Sequence, residues 1–174
     1  LRGLFGKTMA EISGALFPTL SKAQQEKVMD ACYAYENAYL EEHPGVLYEG
    51  VAETFRTLAE RTSLYIVSNC QCGYIELFLR AAGLEDCVKD HLCHGETLVS
   101  KGRTIRLLME RNHLEHVVYV GDTQGDADAC REAEIPFILA EYGFGDVPDA
   151  RQRIQKISEL CELLSEKKGN AHEK

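Results

Sequence analysis

The sequence has no apolar run close to the ~18 residues that a helix needs to cross a bilayer, and its mean hydropathy is negative. An excess of basic residues is also missing, since 19 Lys and Arg stand against 28 Asp and Glu for a formal net charge of −9. A chain with this charge repels the phosphate backbone of nucleic acids. Internal repeats and low-complexity segments are absent as well. These absences argue against a membrane-spanning protein and against a nucleic-acid partner.

Paired cysteine motifs are missing too. The seven cysteines are an odd number, and their spacing includes no C-x-x-C pair and no metal-ligand cluster. Reduced structural thiols in a cytoplasmic protein explain this usage best. Cys70 and Cys72 lie beside a motif described below, and a reactive thiol is the alternative there.

The composition that remains is that of an ordinary globular protein. The 174 residues are 45% hydrophobic and 27% charged, which suits one domain, or a domain with a small insertion, around a sizeable core.

The first quarter of the chain has helical periodicity, from Lys7 to about Leu40. One apolar stripe recurs at steps of four, three and four residues and consists of Val28, Cys32, Tyr35 and Tyr39. Ser21 can cap this helix. The sequence His43-Pro44-Gly45 ends it, because proline disfavours helical geometry in the residue before it. We therefore place a domain boundary after residue 45.

Beyond this boundary, helical and strand patterns alternate, which predicts an α/β fold with a doubly wound parallel sheet. Residues 46–165 form this predicted core, and residues 166–174 form a polar tail. The predicted helices are 50–61, 75–82, 102–112, 125–133 and 151–164, and the predicted strands are 63–67, 91–94, 116–120 and 136–140.

Polar side chains follow two of the predicted strands, where ligands of open parallel sheets bind. Ser68 and Asn69 come after the first strand, where they could hold phosphate oxygens or simply cap the next helix. Asp122 and Asp126 follow the strand 116–120. Capping is again the alternative, but two acids so placed repel each other unless a cation neutralises them. Mg²⁺ meets that need, since it takes one or two carboxylates together with water and phosphate oxygens.

Lys101 stands where a helix begins. The helix dipole disfavours a cation at that end, so the position calls for a compensating anion. A solvated surface lysine is the alternative interpretation.

Taken together, these features resemble the haloacid dehalogenase-like hydrolase superfamily, in its phosphoglycolate phosphatase and β-phosphoglucomutase-like branch. Ser68-Asn69 resembles the second family motif, whose hydroxyl binds the transferring phosphoryl group, and Lys101 resembles the lysine of the third. VVYVGDTQGD resembles the fourth, so Asp122 is implied as a ligand of Mg²⁺ and Asp126 as a ligand or a partner through water. The resemblance implies a Rossmann-like core with a small, incomplete α-helical cap over residues 1–45.

The cap also resembles the branch at its start. LRGLFGKT is similar to the beginning of the family's helical cap, where Arg2 and Lys7 could face substrate. Ordinary charges on a helix surface are the other explanation for both residues.

Two departures from the family pattern stand out. Gly102 follows the lysine where this branch often has a proline. The family's first motif, an apolar strand ending in D-x-D that carries the aspartate nucleophile, is absent from this sequence. That strand sits centrally in the family's sheet, between the strands that end at Ser68 and Asp122. By analogy we expect it within about 20 to 50 residues upstream of Leu1.

The resemblance implies a Mg²⁺-dependent phosphatase that hydrolyses a small-molecule phosphate monoester through an aspartyl-phosphate. The chain as given is expected to be inactive by itself, since the nucleophile lies outside it. A non-catalytic phosphate- or protein-binding domain and a sugar phosphate mutase are the alternatives. The substrate and the oligomeric state are open at this stage.

Overall fold

The computed structural model describes residues 2–169, with the backbone alone for Arg2 and for residues 166–169. Among these residues, none of the helices combines the length and the apolar character that a membrane crossing requires.

The first part of the chain is helical, as its periodicity predicts. A short 3-10 helix (Arg2–Leu4) precedes α1 (Met9–Leu16) and α2 (Lys22–Glu42). Thr8 and Ser21 are the N-caps, and each forms a reciprocal capping box with the side chain three residues later. His43 is the C-cap of α2, so the helix ends at the predicted break.

Helices and strands alternate through the rest of the chain. The helices are α3 (Val51–Ala59), α4 (Tyr74–Ala82), α5 (His94–Thr97), α6 (Lys101–Arg111), α7 (Gln124–Ala133) and α8 (Leu160–Gly169), with 3-10 turns at Glu85–Cys87 and Ile157–Glu159. The strands are β1 (Leu64–Ser68), β2 (Val88–Cys93), β3 (Tyr119–Gly121), β4 (Phe137–Ala140) and β5 (Arg153–Ile154). The predicted α/β class is confirmed.

All strand pairs are parallel, but the strands form two sheets. β1 pairs with β2 in one sheet, and β3, β4 and β5 follow in that order in the other. Helices cover both faces of the sheet that contains β3. Neighbouring residues of a strand point to opposite faces, so they pack against different helices. Tyr119 packs with α6 and α7 in one buried cluster, and Val120 packs with α3 and α8 in another. The helices are therefore wound on both sides, as predicted.

The break between the two sheets lies between β1 and β3. No backbone pairing joins these two strands among the described residues. One side-chain hydrogen bond crosses the break, from the hydroxyl of Tyr119 to the carbonyl oxygen of Val67 at 2.9 Å. We call this break the gap.

The predicted helix over residues 151–164 is wrong in its first part. Arg153–Ile154 forms β5, and α8 begins only at Leu160. Ile154 is 2% exposed, and its carbonyl accepts a hydrogen bond from Glu141 N–H. The backbone of this segment therefore finds its hydrogen-bond partners in and next to β4 rather than within a helix, and the local sequence pattern does not reveal this.

Two other strands, β2 and β3, differ in extent from the predicted ones. β2 begins at Val88 rather than residue 91. β3 covers Tyr119–Gly121, whereas the predicted strand is 116–120, because its ladder with β4 spans three residue pairs and the gap lies on its other side.

The apolar stripe of α2 faces outward. Cys32, Tyr35 and Tyr39 are exposed and Val28 is half-buried, whereas the buried residue of this helix is Met29. The periodicity located the stripe, but α2 packs on α1 and α4 with a different side.

Candidate active site

The loops after β1 and β3 meet at the start of the helical segment, as we call residues 2–49, which contain α1 and α2. Asn69, after β1, donates its side-chain amide to the carbonyl oxygen of Gly6 at 2.8 Å. Thr123, after β3, lies so close to Gly6 that a methyl group there would be 2.9 Å from its Cγ2. Gly6 has a φ of +79°, which favours glycine further. The two predicted site loops therefore lie at the same edge of the molecule.

Asp126 and Lys101 form the central ion pair of this edge. Lys101 Nζ lies 2.6 Å from Asp126 Oδ1, and the two side chains are only 12% and 5% exposed. Lys101 is the first residue of α6, so Asp126 is the compensating anion that the helix dipole calls for.

The other carboxylate oxygen of Asp126 organises the loop after β3. Oδ2 accepts hydrogen bonds from Thr123 Oγ1 at 2.7 Å, Thr123 N–H at 3.0 Å and Asp122 N–H at 3.2 Å. Burial by itself raises the pKa of Asp126, but the charge of Lys101 and the hydrogen bonds from Lys101 and Thr123 outweigh it and hold the pKa below its usual value. Asp126 is thus an ionised residue whose two oxygens are both bound to protein groups.

Gly102 fits this arrangement. A side chain at residue 102 would overlap Glu132, whose carboxylate accepts a hydrogen bond from Ser100 Oγ at 2.7 Å. The departure from the family's proline therefore has a local steric reason, since α6 packs closely on α7 here.

Asp122 lies beside this pair, directly after β3. Its Oδ2 accepts a hydrogen bond from Phe144 N–H at 2.8 Å, and its backbone carbonyl accepts one from Gly145 N–H at 3.1 Å. Its other carboxylate oxygen accepts no hydrogen bond from the described residues.

This arrangement fits a magnesium ion better than a softer metal. The described residues contain no group of three or more His, Cys, Asp or Glu side chains that could hold a metal by themselves. Mg²⁺ does not need such a group, because it binds through one or two carboxylates and takes its other ligands from water and phosphate. The free oxygen of Asp122 is a donor of this hard type, so the residues present fit the ion.

Ser68 is the last residue of β1, and Asn69 lies in the loop that follows it. α4 begins at Tyr74, close to the predicted residue 75, and its N-cap is Gly73. Neither Ser68 nor Asn69 caps this helix, so the capping alternative is wrong. Ser68 Oγ accepts a hydrogen bond from Cys70 N–H at 3.2 Å, which leaves its own hydroxyl proton available. Asn69 Oδ1 is buried and accepts no hydrogen bond from the described residues. Their roles in phosphate binding stay predictions.

Lys7 and Arg2 are not brought into the site by any described contact. Lys7 is exposed just before α1. The side chain of Arg2 lies outside the described residues. The substrate contact proposed for both stays a prediction.

Sequence reasoning missed the contacts between the helical segment and the loop after β1. Gln71 is 5% exposed and donates to Glu36 Oε2 at 2.9 Å and to Asn37 Oδ1 at 3.2 Å. Asn37 in turn donates to the carbonyl of Cys72 at 3.3 Å. Asn37 lies on the side of α2 opposite to the apolar stripe, so a search for apolar periodicity does not single it out.

The cysteines near the site are free thiols. Cys70 and Cys93 are buried, and burial raises the pKa of each thiol. Such thiols are poor nucleophiles at neutral pH, which agrees with reduced structural cysteines. Cys72 is exposed, so the alternative of a reactive thiol remains for it.

Comparison with known proteins agrees with this architecture. The sequence profile of the haloacid dehalogenase-like hydrolase family matches residues 1–140. A search of curated protein sequences finds no match.

Solved structures give the same picture at low sequence identity. A haloacid dehalogenase-like hydrolase from Bacteroides fragilis superposes with a TM-score of 0.81 at 20% identity, over 91% of this chain and 80% of that one. A haloacid dehalogenase-like family hydrolase from Streptococcus pneumoniae gives 0.79 at 18% identity, over 94% and 79%. A predicted phosphoglycolate phosphatase from Haemophilus somnus gives 0.71 at 17% identity, over 89% and 73%. At these identities the likeness concerns the fold.

Proposed function

Since this chain belongs to the haloacid dehalogenase-like hydrolase family, we propose that it is a Mg²⁺-dependent phosphatase acting on a small-molecule phosphate monoester in the cytoplasm. The observation that carries the proposal is that three groups lie at the same edge of the molecule. They are the Lys101–Asp126 pair, the carboxylate of Asp122 with one oxygen that accepts no hydrogen bond from the described residues, and the loop that follows Ser68. Its resemblance in fold to a predicted phosphoglycolate phosphatase supports this choice.

Each of these residues has a distinct part in the proposed reaction. Asp122 would hold Mg²⁺, which neutralises negative charge on the phosphate when bound. Lys101 keeps an ammonium group at a fixed place because Asp126 binds one of its three protons, and the remaining two can stabilise charge that develops on the phosphoryl oxygens. Ser68 can donate its free hydroxyl proton to one of those oxygens. Asp126 is then a positioning residue.

The nucleophile of the proposed reaction is an aspartate outside this sequence. We place it on a strand that comes before Leu1 in the chain and enters the gap, so that it pairs with β1 and β3. Support comes from the gap itself, where the Val67 carbonyl is satisfied by the Tyr119 hydroxyl instead of a neighbouring strand. A strand there would end between Ser68 and Asp122 and bring its carboxylate to the substrate. The carboxylate would attack the phosphorus and displace the alcohol of the ester, which forms an aspartyl-phosphate. Water would then hydrolyse the aspartyl-phosphate, which releases phosphate and restores the carboxylate.

The test is hydrolysis of an aryl phosphate, with and without Mg²⁺, by a form of the protein that includes the upstream strand. We expect Asp122→Asn to lower the Mg²⁺-dependent rate by about 100-fold or more. Asp128→Asn is the matched control, because Asp128 lies on α7, the helix that follows Asp122, but is exposed and pairs with Arg131. Near-normal turnover by Asp122→Asn contradicts the metal assignment.

A non-catalytic phosphate-binding domain, which would use the same phosphate-binding groups without a nucleophile, is the second candidate. The same assay separates the two candidates. If the longer form binds phosphate and Mg²⁺ but releases no phosphate from any ester, the binding function is supported and the phosphatase is not. Product analysis with sugar phosphates identifies a mutase, which rearranges its substrate instead of releasing phosphate.

A further inference from the structure

The loop after β4 encloses Asp122. This loop comprises Tyr142, Gly143, Phe144 and Gly145, and we call it the 142–145 loop. It binds Asp122 twice, through Phe144 N–H to the carboxylate at 2.8 Å and through Gly145 N–H to the backbone carbonyl at 3.1 Å. A methyl group on Gly143 would overlap the side chain of Asp122, and one on Gly145 would overlap its backbone. The loop therefore fixes which carboxylate oxygen of Asp122 is free.

Two aromatic rings from the helical segment contact the same loop. Phe5 stacks on Phe144 with ring centroids 4.2 Å apart and an angle of 14° between the planes. Tyr48 meets Tyr142 edge-on, with centroids 5.3 Å apart. Phe5 lies just before α1, and Tyr48 lies between α2 and α3. Each end of the helical segment thus places one ring on the 142–145 loop.

The Phe5–Phe144 pair is not part of the buried core. The two residues are 48% and 57% exposed. The stack lies where the helical segment meets the loop, and its stability depends on the position of that segment. Neither Phe5 nor Phe144 belongs to a buried cluster of the fold.

We propose that Phe144 is a positioning residue for Asp122, and that Phe5 makes this positioning depend on the helical segment. This inference rests on the proposed role of Asp122 as the cation ligand. When the rings are stacked, the 142–145 loop holds one oxygen of Asp122 and presents the other to the cation. When the helical segment moves away, the loop loses its contacts with Phe5 and Tyr48, and the carboxylate of Asp122 loses its fixed orientation. Cation binding and docking of the helical segment are then coupled, and each strengthens the other.

The test measures Mn²⁺ binding to the 174-residue chain by the electron paramagnetic resonance signal of free Mn²⁺. We expect Phe5→Ala to weaken binding about three- to tenfold, which is the effect of losing one aromatic stack. Phe5→Leu keeps an apolar side chain without a ring and is expected to bind as weakly as Phe5→Ala. Phe5→Tyr keeps the stack and is expected to restore wild-type binding.

Tyr35→Ala is the matched control. Tyr35 belongs to the same helical segment, is 73% exposed and stacks on Tyr39 far along α2, so this variant is expected to bind Mn²⁺ as the wild type does. Urea unfolding of each variant verifies that the core is intact.

A second measurement tests the reverse direction of the coupling. Val46 is 99% exposed in the connection between α2 and α3, where proteinase K can cut. We expect Mn²⁺ to slow cleavage there in the wild type and in Tyr35→Ala, and to have a smaller effect in Phe5→Ala.

The outcomes separate this inference from the proposed function. If Asp122→Asn binds Mn²⁺ as tightly as the wild type, the metal assignment fails and the inference fails with it. If Asp122→Asn loses binding while Phe5→Ala binds as the wild type does, Asp122 remains the ligand and only the coupling is overturned.

Discussion

Lys101 and Asp126 show why a buried ion pair is tolerated at the centre of this site. Removal of two charges from water is costly, and the cost is offset only where the charges are close and their remaining hydrogen-bonding capacity is used. Asp126 meets this condition, since one oxygen binds Lys101 and the other accepts three hydrogen bonds from the loop after β3. Loss of either partner leaves a buried charge without compensation.

We therefore predict strong coupling in a double-mutant cycle. Lys101→Met and Asp126→Asn each lower the free energy of unfolding by about 3 kcal/mol. The double variant loses clearly less than the sum, because it contains no uncompensated charge. Urea denaturation at pH 7 measures all four proteins.

The Arg131–Asp128 pair on α7 is the matched control for this cycle. Its nitrogen and oxygen are 2.9 Å apart, but the side chains are 74% and 55% exposed. Arg131→Met and Asp128→Asn are expected to be additive within about 0.5 kcal/mol. Additive effects at Lys101 and Asp126 would contradict the description of that pair as a mutually dependent unit.

Two glycines differ in their place within a helix: Gly83 ends α4, and Gly14 lies inside α1. Gly83 ends α4 in the left-handed region with a φ of +62°, and its N–H binds the last turn of the helix. Gly14 lies inside α1 with ordinary helical geometry, and a methyl group there would meet no atom within 4 Å. The same substitution should therefore have opposite effects at these two positions.

Gly83→Ala is predicted to lower the free energy of unfolding by about 1 kcal/mol, because alanine is strained at positive φ. Space is not the cause, since the nearest atom to an added methyl group is 3.9 Å away. Gly14→Ala is predicted to raise the free energy of unfolding by about 0.5 to 1 kcal/mol, because alanine has the higher helix propensity. Thermal and urea unfolding measure both. A loss of stability in Gly14→Ala would show that α1 has a constraint beyond propensity.

The two sheets depend on side chains rather than on a backbone ladder to stay together across the gap. The buried clusters contribute, and Tyr119 provides the directional contact through its hydrogen bond to Val67. Burial, with the nearby charge of Asp126, raises the pKa of Tyr119 well above its usual value. The hydroxyl therefore keeps its proton and remains a donor throughout the neutral pH range.

Tyr119→Phe is predicted to lower the free energy of unfolding by about 1 to 2 kcal/mol, since it leaves the Val67 carbonyl without its partner. Tyr65→Phe is the control. Tyr65 packs in the same cluster, and its hydroxyl makes no hydrogen bond among the described residues, so its removal is expected to change stability by less than about 0.5 kcal/mol. Equal stability of Tyr119→Phe and the wild type would show that packing alone holds the sheets together.

The sequence predicts the elements that local signals mark, and it fails where only a tertiary neighbour defines an element. β1 and α4 were placed within one or two residues, because an apolar run and the glycine at residue 83 mark them locally. β5 was assigned to a helix, because two residues carry no strand pattern and only β4 gives them a partner. β3 was drawn too long, because its apolar run does not reveal how far a neighbouring strand extends along it.

The amino-acid sequence by itself determined the helix cap at Ser21, the alternation of helices and strands, and the placement of Ser68, Lys101 and Asp122 at the ends of elements. These features depend on residues within a few positions of one another, so local periodicity and backbone preference suffice for them. Only the tertiary structure decided that Asp126 binds Lys101, that the 142–145 loop encloses Asp122, and that a gap separates β1 from β3. Those contacts join residues 20 or more positions apart, and their formation depends on how whole layers pack.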